Sequence, residues 1–548
     1  MRKENILRAY VSTLLGLLIV LSCCFAILSS AQATEYYVDE NHLNASDLNS
    51  GSESQPWKTI TKANQVLVAG DTVYIKSGTY SSYIAPSNSG NSSNRITYRS
   101  YNSDVVKISG ASYAVYLNGK SYITVQGISA EYCSNFLYII NGSSHNIIAY
   151  SNFSQQSPPA WDASVINGSS KYNWVHHSNF SKGGECSAGG SDDGSVLDIG
   201  IESSTTDQTY YNLIENNIFY HGGHHLMGLH TGYNTIRNNY FHNEAWSRSR
   251  GNRTLYMNGR DAVTGHNIIE GNRFGYAAAP CDAATVGNVA MSTPYNIFRY
   301  NKLYHHNAYG LGTYSYSGYS NGSYNKIYNN TIFNSGYNID PAYYHGAEDT
   351  AITFLHSANT GNRLKNNLYF SNYQIYRGYT ANQTYANEFN GDTQGNPLFV
   401  NANKTPPDDK TDSTLPNLDL QEGSPVIDIG GALTTVATSD TSSGTSLIVS
   451  DAGYFQDGTY APPGTVQADW IAVGTASNFV QIVAINYGTN TISLANSISR
   501  SDGQSVWLYK KSDGGRVLYG TAPDVGAYEV SAGASPLKPL PPTILRVE

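Results

Sequence analysis

The chain has 548 residues with a formal net charge of −9 at pH 7, and only 13% of its residues are charged. This acidic balance argues against nucleic acid as a partner, because the phosphate backbone is itself negative. Five cysteines are too few for a dense disulfide scaffold, so a hydrophobic core must stabilise the chain. The 45 tyrosines favour contact with carbohydrate, since aromatic faces stack on sugar rings, although tyrosine is also a common strand residue.

Residues 1–33 have the pattern of a signal peptide. Arg2, Lys3 and Arg8 form a basic head, an apolar run extends over Leu14–Leu28, and small residues up to Ala33 mark a cleavage site. A membrane anchor is the alternative, but polar residues interrupt the run and no second hydrophobic span follows. Removal of the segment takes away three basic residues and one acidic residue, which leaves a charge of about −11. We therefore expect a secreted, periplasmic or cell-surface protein with no membrane attachment after cleavage.

The main body of the chain is built on a short repeated pattern. Each copy begins with Asn and has an apolar residue two positions later, Asn or Ser five positions later and a large apolar residue seven positions later. Eight copies exceed what chance produces, so the repetition must be explained first. The copies begin at Asn146, Asn173, Asn212, Asn234, Asn267, Asn296, Asn325 and Asn362.

One copy is too short and too polar to bury a core alone, and it gains stability only by stacking on its neighbours. The two apolar positions are five residues apart, which breaks strand alternation and predicts two short strands with a bend at the middle Asn. Asn tolerates the left-handed backbone of a bend, and its amide can bond to the same Asn in the next coil. The repeat therefore predicts a parallel β-solenoid with coils of about twenty or more residues.

A third strand is predicted in each coil, between one Asn pattern and the next. Apolar residues such as Leu229 and Met257 would face inward, and burial of each would contribute about 1.5–3 kcal/mol. The predicted strands are Tyr113–Asn118, Phe136–Asn141, Ser164–Asn167, Ser195–Ile199, His225–His230, Thr254–Asn258, Asn288–Ser292, Tyr309–Tyr314 and Ala351–His356.

The N-terminal region of the solenoid carries a more specific signal. In order, it contains Tyr37-Val38-Asp39, Ser46-Asp47, Gly51, Pro56-Trp57-Lys58-Thr59-Ile60, Ala69-Gly70-Asp71-Thr72-Val73 and Ser77-Gly78-Thr79-Tyr80. This order resembles the opening of secreted proteins of the pectate-lyase-like superfamily, which includes polysaccharide lyases, some glycoside hydrolases, epimerases and phage tailspikes. The resemblance implies an all-β, right-handed parallel β-helix, capped at its first coil by a short helix over Ile60–Leu67. It also implies that the outer face of the third strands forms a substrate groove, but one scaffold hosts many reactions.

The C-terminal part looks like the family's closing sequence split into two halves, one near Asp428 and one over Pro523–Glu529. The residues between the halves read as a small inserted β domain, either an end cap or a carbohydrate-binding unit. The predicted organisation is a signal peptide over 1–33, a β-helix with an N-terminal cap over 34–430, the inserted domain over 431–521, the returning closing segment over 522–530 and a Pro-rich tail over 531–548.

An acidic loop is the first candidate site. Asp192 and Asp193 lie in an insertion between repeat copies, and Asp198 follows in the next predicted third strand. Adjacent carboxylates supply the oxygen ligands that calcium prefers, or a general acid and base. Asp-Asp-Gly is also an ordinary turn sequence. Calcium is the one cofactor predicted, with these three aspartates as its candidate ligands.

A cluster of histidine and arginine is the second candidate site. His224 and His230 belong to one coil, Arg253 and Tyr256 belong to the next, and Arg260 follows shortly after. A coil advances only about 4.8 Å, so a parallel stack would bring these residues together. Proton abstraction beside a sugar carboxylate needs a base, a neutralising cation and an acid for the leaving oxygen. His230 or His224, Arg253 or Arg260, and Tyr256 have those properties; the alternative is that they bond solvated loops.

These residues and the resemblance together predict a monomeric enzyme that cleaves an acidic, uronic-acid polysaccharide by β-elimination. A glycoside hydrolase using Asp192, Asp193 or Asp198 is a second hypothesis, although the Asn-Thr-Asp and Arg-Ile-Lys triplets usual in hydrolases of this superfamily are absent. A non-catalytic, glycan-binding or adhesive surface protein is a third, and it would need none of the histidine and arginine cluster.

Overall fold

The structure is a computed structural model. It describes residues 33–158, 161–184, 194–223, 225–243, 253–260, 264–277, 288–306, 308–315, 318–336, 350–402, 416–437, 440 and 443–531. Each coil passes through three parallel sheets, which we call A, B and C, and returns to sheet A one level further along. The right-handed parallel β-helix implied by the resemblance is confirmed.

The strands of the three sheets are as follows within the described residues. Sheet A contains Glu35–Val38, Thr72–Ile75, Ile96–Ser100, Ile123–Gln126, Ile147–Ala149, Trp174–His176, Leu213–Glu215, Thr235–Arg237, Ile268–Glu270, Ile297–Arg299, Lys326–Tyr328, Arg363–Lys365 and Thr384–Ala386. Sheet B contains Gly78–Tyr80, Val106–Ser109, Ile128–Glu131, Asn152–Ser154, Asn179–Ser181, Ile218–Tyr220, Tyr240–Asn243, Arg273–Ala277, Lys302–His306, Thr331–Ser335, Leu368–Phe370 and Phe389–Asn390. Sheet C contains Tyr113–Asn118, Asn135–Ile140, Ser164–Ile166, Ser195–Ile199, His225–Leu229, Arg253–Met257, Val289–Met291, Tyr309–Thr313, Thr350–Phe354 and Tyr376–Gly378.

The core of the solenoid is filled by the apolar positions of the repeat. Ile236 in sheet A and Phe241 in sheet B are both fully buried, as the repeat predicts. Phe241 stacks on Phe219 of the preceding coil and on Phe274 of the following coil, with ring centroids 5.0 Å apart in both pairs. The spacing matches the rise of one coil, so identical side chains pack directly above one another.

Buried asparagines form two ladders at the corners of the solenoid. Asn212 Oδ1 accepts hydrogen bonds from the backbone N and the Nδ2 of Asn173, both at 3.0 Å, and Asn234 accepts the same pair from Asn212 at 3.0 and 3.1 Å. In the second ladder, Asn239 accepts from Asn217 at 3.0 and 3.1 Å. Each amide therefore satisfies buried polar groups of the neighbouring coil, and the predicted side-chain ladder is confirmed.

The bend between sheets A and B lies one residue earlier than the sequence analysis placed it. Asn216 and Asn238 adopt φ of +55°, whereas Asn217 and Asn239, the predicted bend residues, direct their amides into the second ladder. A ladder amide has to point inward, so the left-handed turn falls to the residue before it. The same position is held elsewhere by Tyr150, His177, Tyr300, Asn329 and Asn366.

The N-terminal cap is a short helix over Ile60–Val66, one residue shorter than predicted. The Thr59 side chain accepts a hydrogen bond from the backbone N of Lys62 and so caps the first turn. Ile60 and Ala63 are fully buried against the first coil, which closes the open end of the core.

Residues near the C-terminus form an antiparallel sheet of six strands, which packs on the outer side of sheet A. Thr235 of sheet A donates to the carbonyl of Tyr460 at 2.7 Å, and Arg237 donates to the carbonyl of Ser512 at 2.8 Å. The inserted sheet therefore lies along the side of the solenoid. Its strands are Thr434–Thr435, Ser443–Ile448, Trp470–Val473, Phe479–Asn486, Thr491–Ser499 and Ser505–Lys510.

The two halves of the closing sequence come together in space. The backbone N of Asp428 donates to Asp524 Oδ1 at 2.9 Å, and the backbone N of Gly430 donates to the carbonyl of Pro523 at 2.8 Å. Among the described residues, no helix has the length and apolar character needed to cross a membrane. The remaining elements are the strands Phe399–Asn401 and Asn417–Leu420, the helix Gly391–Gln394 and the 3-10 helices Thr380–Asn382 and Ala452–Tyr454.

Candidate functional site

The outer face of sheet C carries His230, Arg253 and Tyr256 of the predicted histidine and arginine cluster. Asp198 pairs with Gly228, Gly228 with Tyr256, and Tyr256 with Ala290 in consecutive coils, so the four form one row. The apolar residues that alternate with them along the strands are buried in the core. The row lies on the face that the resemblance implies to be the groove.

His230 lies at the centre of a hydrogen-bonded group on this face. Its Nδ1 is 3.0 Å from the carbonyl oxygen and 2.9 Å from Oδ1 of Asn258, and its Nε2 is 3.4 Å from Asp198 Oδ2. The amide nitrogen of Asn258 donates to Glu202 Oε1 at 2.7 Å and to the Tyr256 hydroxyl at 2.6 Å, which orients its oxygen towards the ring. Both ring nitrogens of His230 thus face oxygen acceptors, and only the imidazolium form donates from both.

The electrostatics of the group favour the same protonation state. Burial by itself would lower the pKa of His230. The charge and the hydrogen bond of Asp198, together with the charge of Glu202, have a larger effect and raise the pKa of His230 to about 9. Burial in turn raises the pKa of Asp198, and the His230 cation outweighs it and holds that pKa below its ordinary value of 3.8. At neutral pH the pair is therefore an imidazolium and a carboxylate.

A second carboxyl group, Asp162, adjoins this pair. Burial and the charge of Asp198 raise the pKa of Asp162 well above its ordinary value, whereas the pKa of Asp198 is lowered, so Asp162 takes up a proton at a higher pH than Asp198 does. The Asp162 Oδ1 atom accepts a hydrogen bond from the backbone N of Ser195 at 2.9 Å. The two aspartates thus share one site, and their pKa values are shifted in opposite directions.

Gly228 provides the space in which this group assembles. A Cβ atom at this position would overlap both Asp198 Oδ1 and His230 Nε2. The glycine therefore allows a carboxylate from the preceding coil and an imidazole from its own coil to meet directly above the strand. Any larger residue would push the two groups apart.

Arg253 brings a second cation to the row. Its guanidinium carbon lies 4.9 Å from the centroid of the Tyr256 ring and 5.5 Å from that of Tyr314. The His225 ring is 4.5 Å and the His230 ring 6.4 Å from the Tyr256 ring. Tyr256 therefore lies near both a guanidinium and an imidazolium.

The structure brings together Asp198, His230, Arg253 and Tyr256 of the predicted residues. Arg260 lies apart, because it is exposed, stacks on the Tyr319 ring at 4.4 Å and donates to its hydroxyl at 2.9 Å. The other predicted site residues, His224, Asp192 and Asp193, fall outside the described residues.

The predicted calcium site is poorly matched by the one ligand that the structure describes. Asp198 is paired with a cationic imidazole, which would repel a calcium ion at the same carboxylate. Within the described part of the chain, no three His, Cys, Asp or Glu side chains are grouped as metal ligands. Calcium binding through the loop of Asp192 and Asp193 stays a prediction.

Asp162, Glu202 and Gly228 are the site residues that the sequence analysis missed. None lies in a recognisable motif, and Asp162 comes before the strand of its coil that pairs with the strand of Asp198. The strand pairing of Val165 with Asp198 in sheet C is what brings the two aspartates close. A register alignment of the third strands is the one sequence signal that could have found Asp162.

Half-buried tyrosines continue the face from Asp162 towards the N-terminal coils. Tyr138 lies beside Asp162, with its hydroxyl 3.5 Å from the Asp162 carbonyl oxygen. Tyr113 has its ring 5.1 Å from that of Tyr138, 4.6 Å from that of Tyr116 and 5.6 Å from that of Tyr83. The rings are tilted relative to one another and not stacked face to face. An aromatic surface therefore adjoins the carboxyl pair.

Comparison with known proteins gives two partial sequence matches. A family model described as "Protein of unknown function (DUF1565)" matches residues 43–86. The "Uncharacterized protein YwoF" of Bacillus subtilis (strain 168) is 31% identical over 118 residues, a region that covers 19% of this chain. The chain matches only 25% of the length of that relative.

Similar solved structures include several β-helix proteins. Pectate lyase Pel9A is 16% identical, with 75% of this chain and 95% of that chain covered and a TM-score of 0.44. A rhamnogalacturonan lyase is 16% identical, with coverages of 71% and 96% and a TM-score of 0.45. The GH136 lacto-N-biosidase of Eubacterium ramulus is 10% identical, with coverages of 65% and 67% and a TM-score of 0.37. A likeness at these identities concerns the fold alone.

Proposed function

We propose that the protein is an exported, carbohydrate-active enzyme that cleaves an acidic polysaccharide of uronic-acid units by β-elimination. The observation that carries the proposal is that the Tyr256 ring lies near both the imidazolium of His230, at 6.4 Å, and the guanidinium of Arg253, at 4.9 Å. The signal-peptide pattern of residues 1–33 supports export.

The chemistry of β-elimination explains why this arrangement suits the reaction. Proton removal from the carbon beside the carboxylate places negative charge on the carboxylate, the bond to the leaving oxygen breaks, and a carbon–carbon double bond forms. The leaving oxygen then takes up a proton. Cations that face the carboxylate stabilise the transition state, and a positioned hydroxyl can transfer the proton.

The proposal gives each residue a role. His230 and Arg253 stabilise the charge that develops on the substrate carboxylate. The Tyr256 oxygen accepts the proton from the carbon beside the carboxylate while its own hydroxyl proton passes to the leaving oxygen. Asn258 donates to the Tyr256 oxygen, so the hydroxyl hydrogen of Tyr256 is not used in that bond. His230 was a candidate base on the sequence alone. Both of its ring nitrogens donate to oxygen acceptors, so at neutral pH it is a cation and cannot accept a proton.

Tyr138, Tyr113 and Tyr83 would bind neighbouring sugar units. Aromatic rings offer apolar faces to the C–H faces of sugars, and their hydroxyls remain in water. Coils advance by about 4.8 Å, so tyrosines from consecutive coils can contact consecutive parts of one extended chain.

Turnover and stability should both fall as the pH rises through about 9. Folding raises the pKa of His230 from 6.5 to about 9, so the stabilisation by its cation is complete below pH 6.5 and is lost as the pH rises through 9. This shift corresponds to roughly 3 kcal/mol of folding free energy. We would measure initial rates and melting temperatures of the parent and of His230→Gln, which lacks this titration. A parent rate that rises through pH 9 would instead identify neutral His230 as a base.

A glycoside hydrolase is the second candidate, and Asp162 and Asp198 favour it. Two carboxyl groups whose surroundings push their pKa values apart are the usual acid and base of glycoside hydrolysis. Asp162, the carboxyl group with the raised pKa, would then donate its proton to the glycosidic oxygen, and Asp198, with the lowered pKa, would act as the nucleophile or activate water.

A polysaccharide panel separates these functions. The protein is incubated with polygalacturonate, alginate and a neutral galactan, and both the ultraviolet absorbance of unsaturated products and the number of reducing ends are followed. Growth of both signals on an anionic substrate supports β-elimination, whereas reducing ends without absorbance indicate hydrolysis. Asp162→Asn should retain most of the β-elimination but abolish hydrolysis. If no substrate of the panel is cleaved, the non-catalytic glycan-binding hypothesis takes precedence.

A further inference from the structure

The inserted six-stranded sheet carries an aromatic surface on the face opposite to its own core. Ala472 lies directly across from Phe479 on one neighbouring strand and from Trp507 on the other, while Ile471 and Val473 face the core. Trp470 is in contact with the same group of residues, as is Tyr509. We call Trp470, Phe479, Trp507 and Tyr509 the aromatic patch.

The outermost ring of the aromatic patch is exposed. Phe479 has 42% of its surface accessible, and it stacks on the buried Tyr509 with ring centroids 4.2 Å apart and an interplanar angle of 5°. One face of Phe479 is therefore covered by Tyr509, and the ring still presents a large apolar area to solvent. Trp470, 6.1 Å away, and Trp507 are half-buried. Contiguous aromatic residues that are partly open to solvent are typical of an interaction surface.

Two cations border the aromatic patch. Lys510 Nζ lies 4.7 Å from the Trp470 ring, and the Arg516 guanidinium lies 4.9 Å from the Tyr509 ring and 4.4 Å from the exposed Tyr519 ring. Neither cation has a carboxylate partner within 4 Å among the residues that the structure describes.

The other basic residues of the inserted sheet and its adjoining turns are paired. Lys511 forms an ion pair with Asp513 at 2.9 Å, and Arg500 forms one with Asp440 at 2.8 Å. Unpaired cations in a chain of net charge −9 are therefore confined, within this part of the structure, to the aromatic patch.

We propose that the aromatic patch, with Lys510 and Arg516, is a binding site for an anionic polysaccharide that is separate from the site on sheet C. Phe479 and Trp470 offer apolar faces to sugar rings, and the two cations match carboxylates spaced along the chain. The site binds without cleaving, so it does not depend on the function proposed for sheet C. It would hold the polymer on the side of the solenoid while sheet C acts on it.

The C-terminal tail is the competing occupant of this surface. The side chains of the tail include Lys538 and Arg546 against one acidic side chain, Glu548, so their net charge has the same sign as that of Lys510 and Arg516. Charge complementarity therefore favours a polyanion over the tail.

The test is binding of polygalacturonate by affinity electrophoresis, with neutral dextran in a parallel gel. The parent and its Tyr256→Phe form, in which cleavage is expected to be minimal, should be retarded by polygalacturonate only, and added salt should weaken the retardation. Phe479→Ala and the double variant Lys510→Gln/Arg516→Gln should each lower the affinity by about tenfold or more. Val483→Ala, on the same strand and 58% exposed, is the matched control and should bind as the parent does.

Three results would overturn the proposal. The first is a parent that is not retarded by polygalacturonate, and the second is a pair of patch variants that bind as well as Val483→Ala does. The third is a chain shortened after Ser531 that gains binding which the full chain lacks, because the tail would then be the occupant. Binding without any cleavage would refute the enzyme proposed for sheet C but would leave this site standing. Melting temperatures equal to the parent's show that the variants are folded.

Discussion

Replacing Tyr256 by phenylalanine should lower the turnover of an acidic polysaccharide by at least about a hundredfold. The substitution removes one oxygen atom and keeps the ring, so the contacts of the ring with Arg253 and His225 remain. Asn258 keeps Glu202 as a hydrogen-bond partner. The loss should therefore fall on the proton-transfer step, and the melting temperature should change little.

Tyr116→Phe is the matched control for this variant. Tyr116 lies on the outer face of the same sheet, and its hydroxyl accepts a hydrogen bond from Asn118 at 3.1 Å, but it is five coils away from Tyr256. Removal of the Tyr116 hydroxyl should change turnover by less than about threefold. Both variants are assayed by ultraviolet absorbance on the substrate that the parent cleaves best. Tyr256→Phe with more than a third of the parental rate would remove Tyr256 from the mechanism.

Replacing Arg299 by methionine should destabilise the protein by about 3–5 kcal/mol. Arg299 is fully buried between sheet A and the inserted sheet, and it donates to both carboxylate oxygens of Asp469 at 2.7 Å and to Glu270 at 2.6 Å. The Tyr328 hydroxyl accepts a further bond at 2.9 Å. Methionine fills similar space but leaves two buried carboxylates facing each other without a cation.

Arg363→Met tests whether the effect depends on burial. Arg363 is on the same sheet and pairs with Asp451 at 2.7 Å, but 47% of its side chain is exposed, and Asp451 keeps Lys326 as a partner at 2.6 Å. The control should therefore cost no more than about 1 kcal/mol. Free energies of unfolding are measured by denaturant titration at neutral pH. Equal values for the two variants would show that the buried network contributes no more than a surface ion pair.

The same ion pairs explain how the inserted sheet is held against the solenoid. Arg299 and Asp469 are 170 residues apart in sequence, and Arg237 bonds to Ser512 across 275 residues. Buried, bidentate bonds of this kind are directional, so they set one orientation of the inserted sheet. They leave the opposite face of that sheet, with the aromatic patch, towards solvent.

The sequence determined the coil architecture because every copy of the repeat has the same pattern of apolar residues and asparagine. An apolar pair five residues apart, with asparagine between, can be satisfied only by stacked coils, and Ile236 and Phe241 are buried as that pattern requires. The predicted strands of sheet C agree with the observed ones to within one or two residues at most ends. The bend was misplaced by one residue, since the sequence shows two adjacent asparagines, Asn216 and Asn217, and only the ladder distinguishes their roles.

The candidate site was only partly determined by the sequence. The coil spacing predicted that His230, Arg253 and Tyr256 lie close together, because parallel strands of consecutive coils stack in order. Asp162 and Glu202 were missed because they reach the site from irregular segments, whose paths no local pattern encodes. Gly228 was missed because its importance lies in the space it leaves for two other side chains.

The protonation states were decided by the tertiary structure alone. A histidine has an ordinary pKa of about 6.5, and the sequence cannot say whether burial or a carboxylate will dominate. In this fold Asp198 contacts His230 from the preceding coil and Asn258 contacts it from the following coil. Their combined effect on the pKa of His230 exceeds that of desolvation, so the cationic form is favoured. The sequence thus determined which residues share a face, since that follows from a repeating period. The distances that decide their charge depend on contacts between coils and exist only in the folded chain.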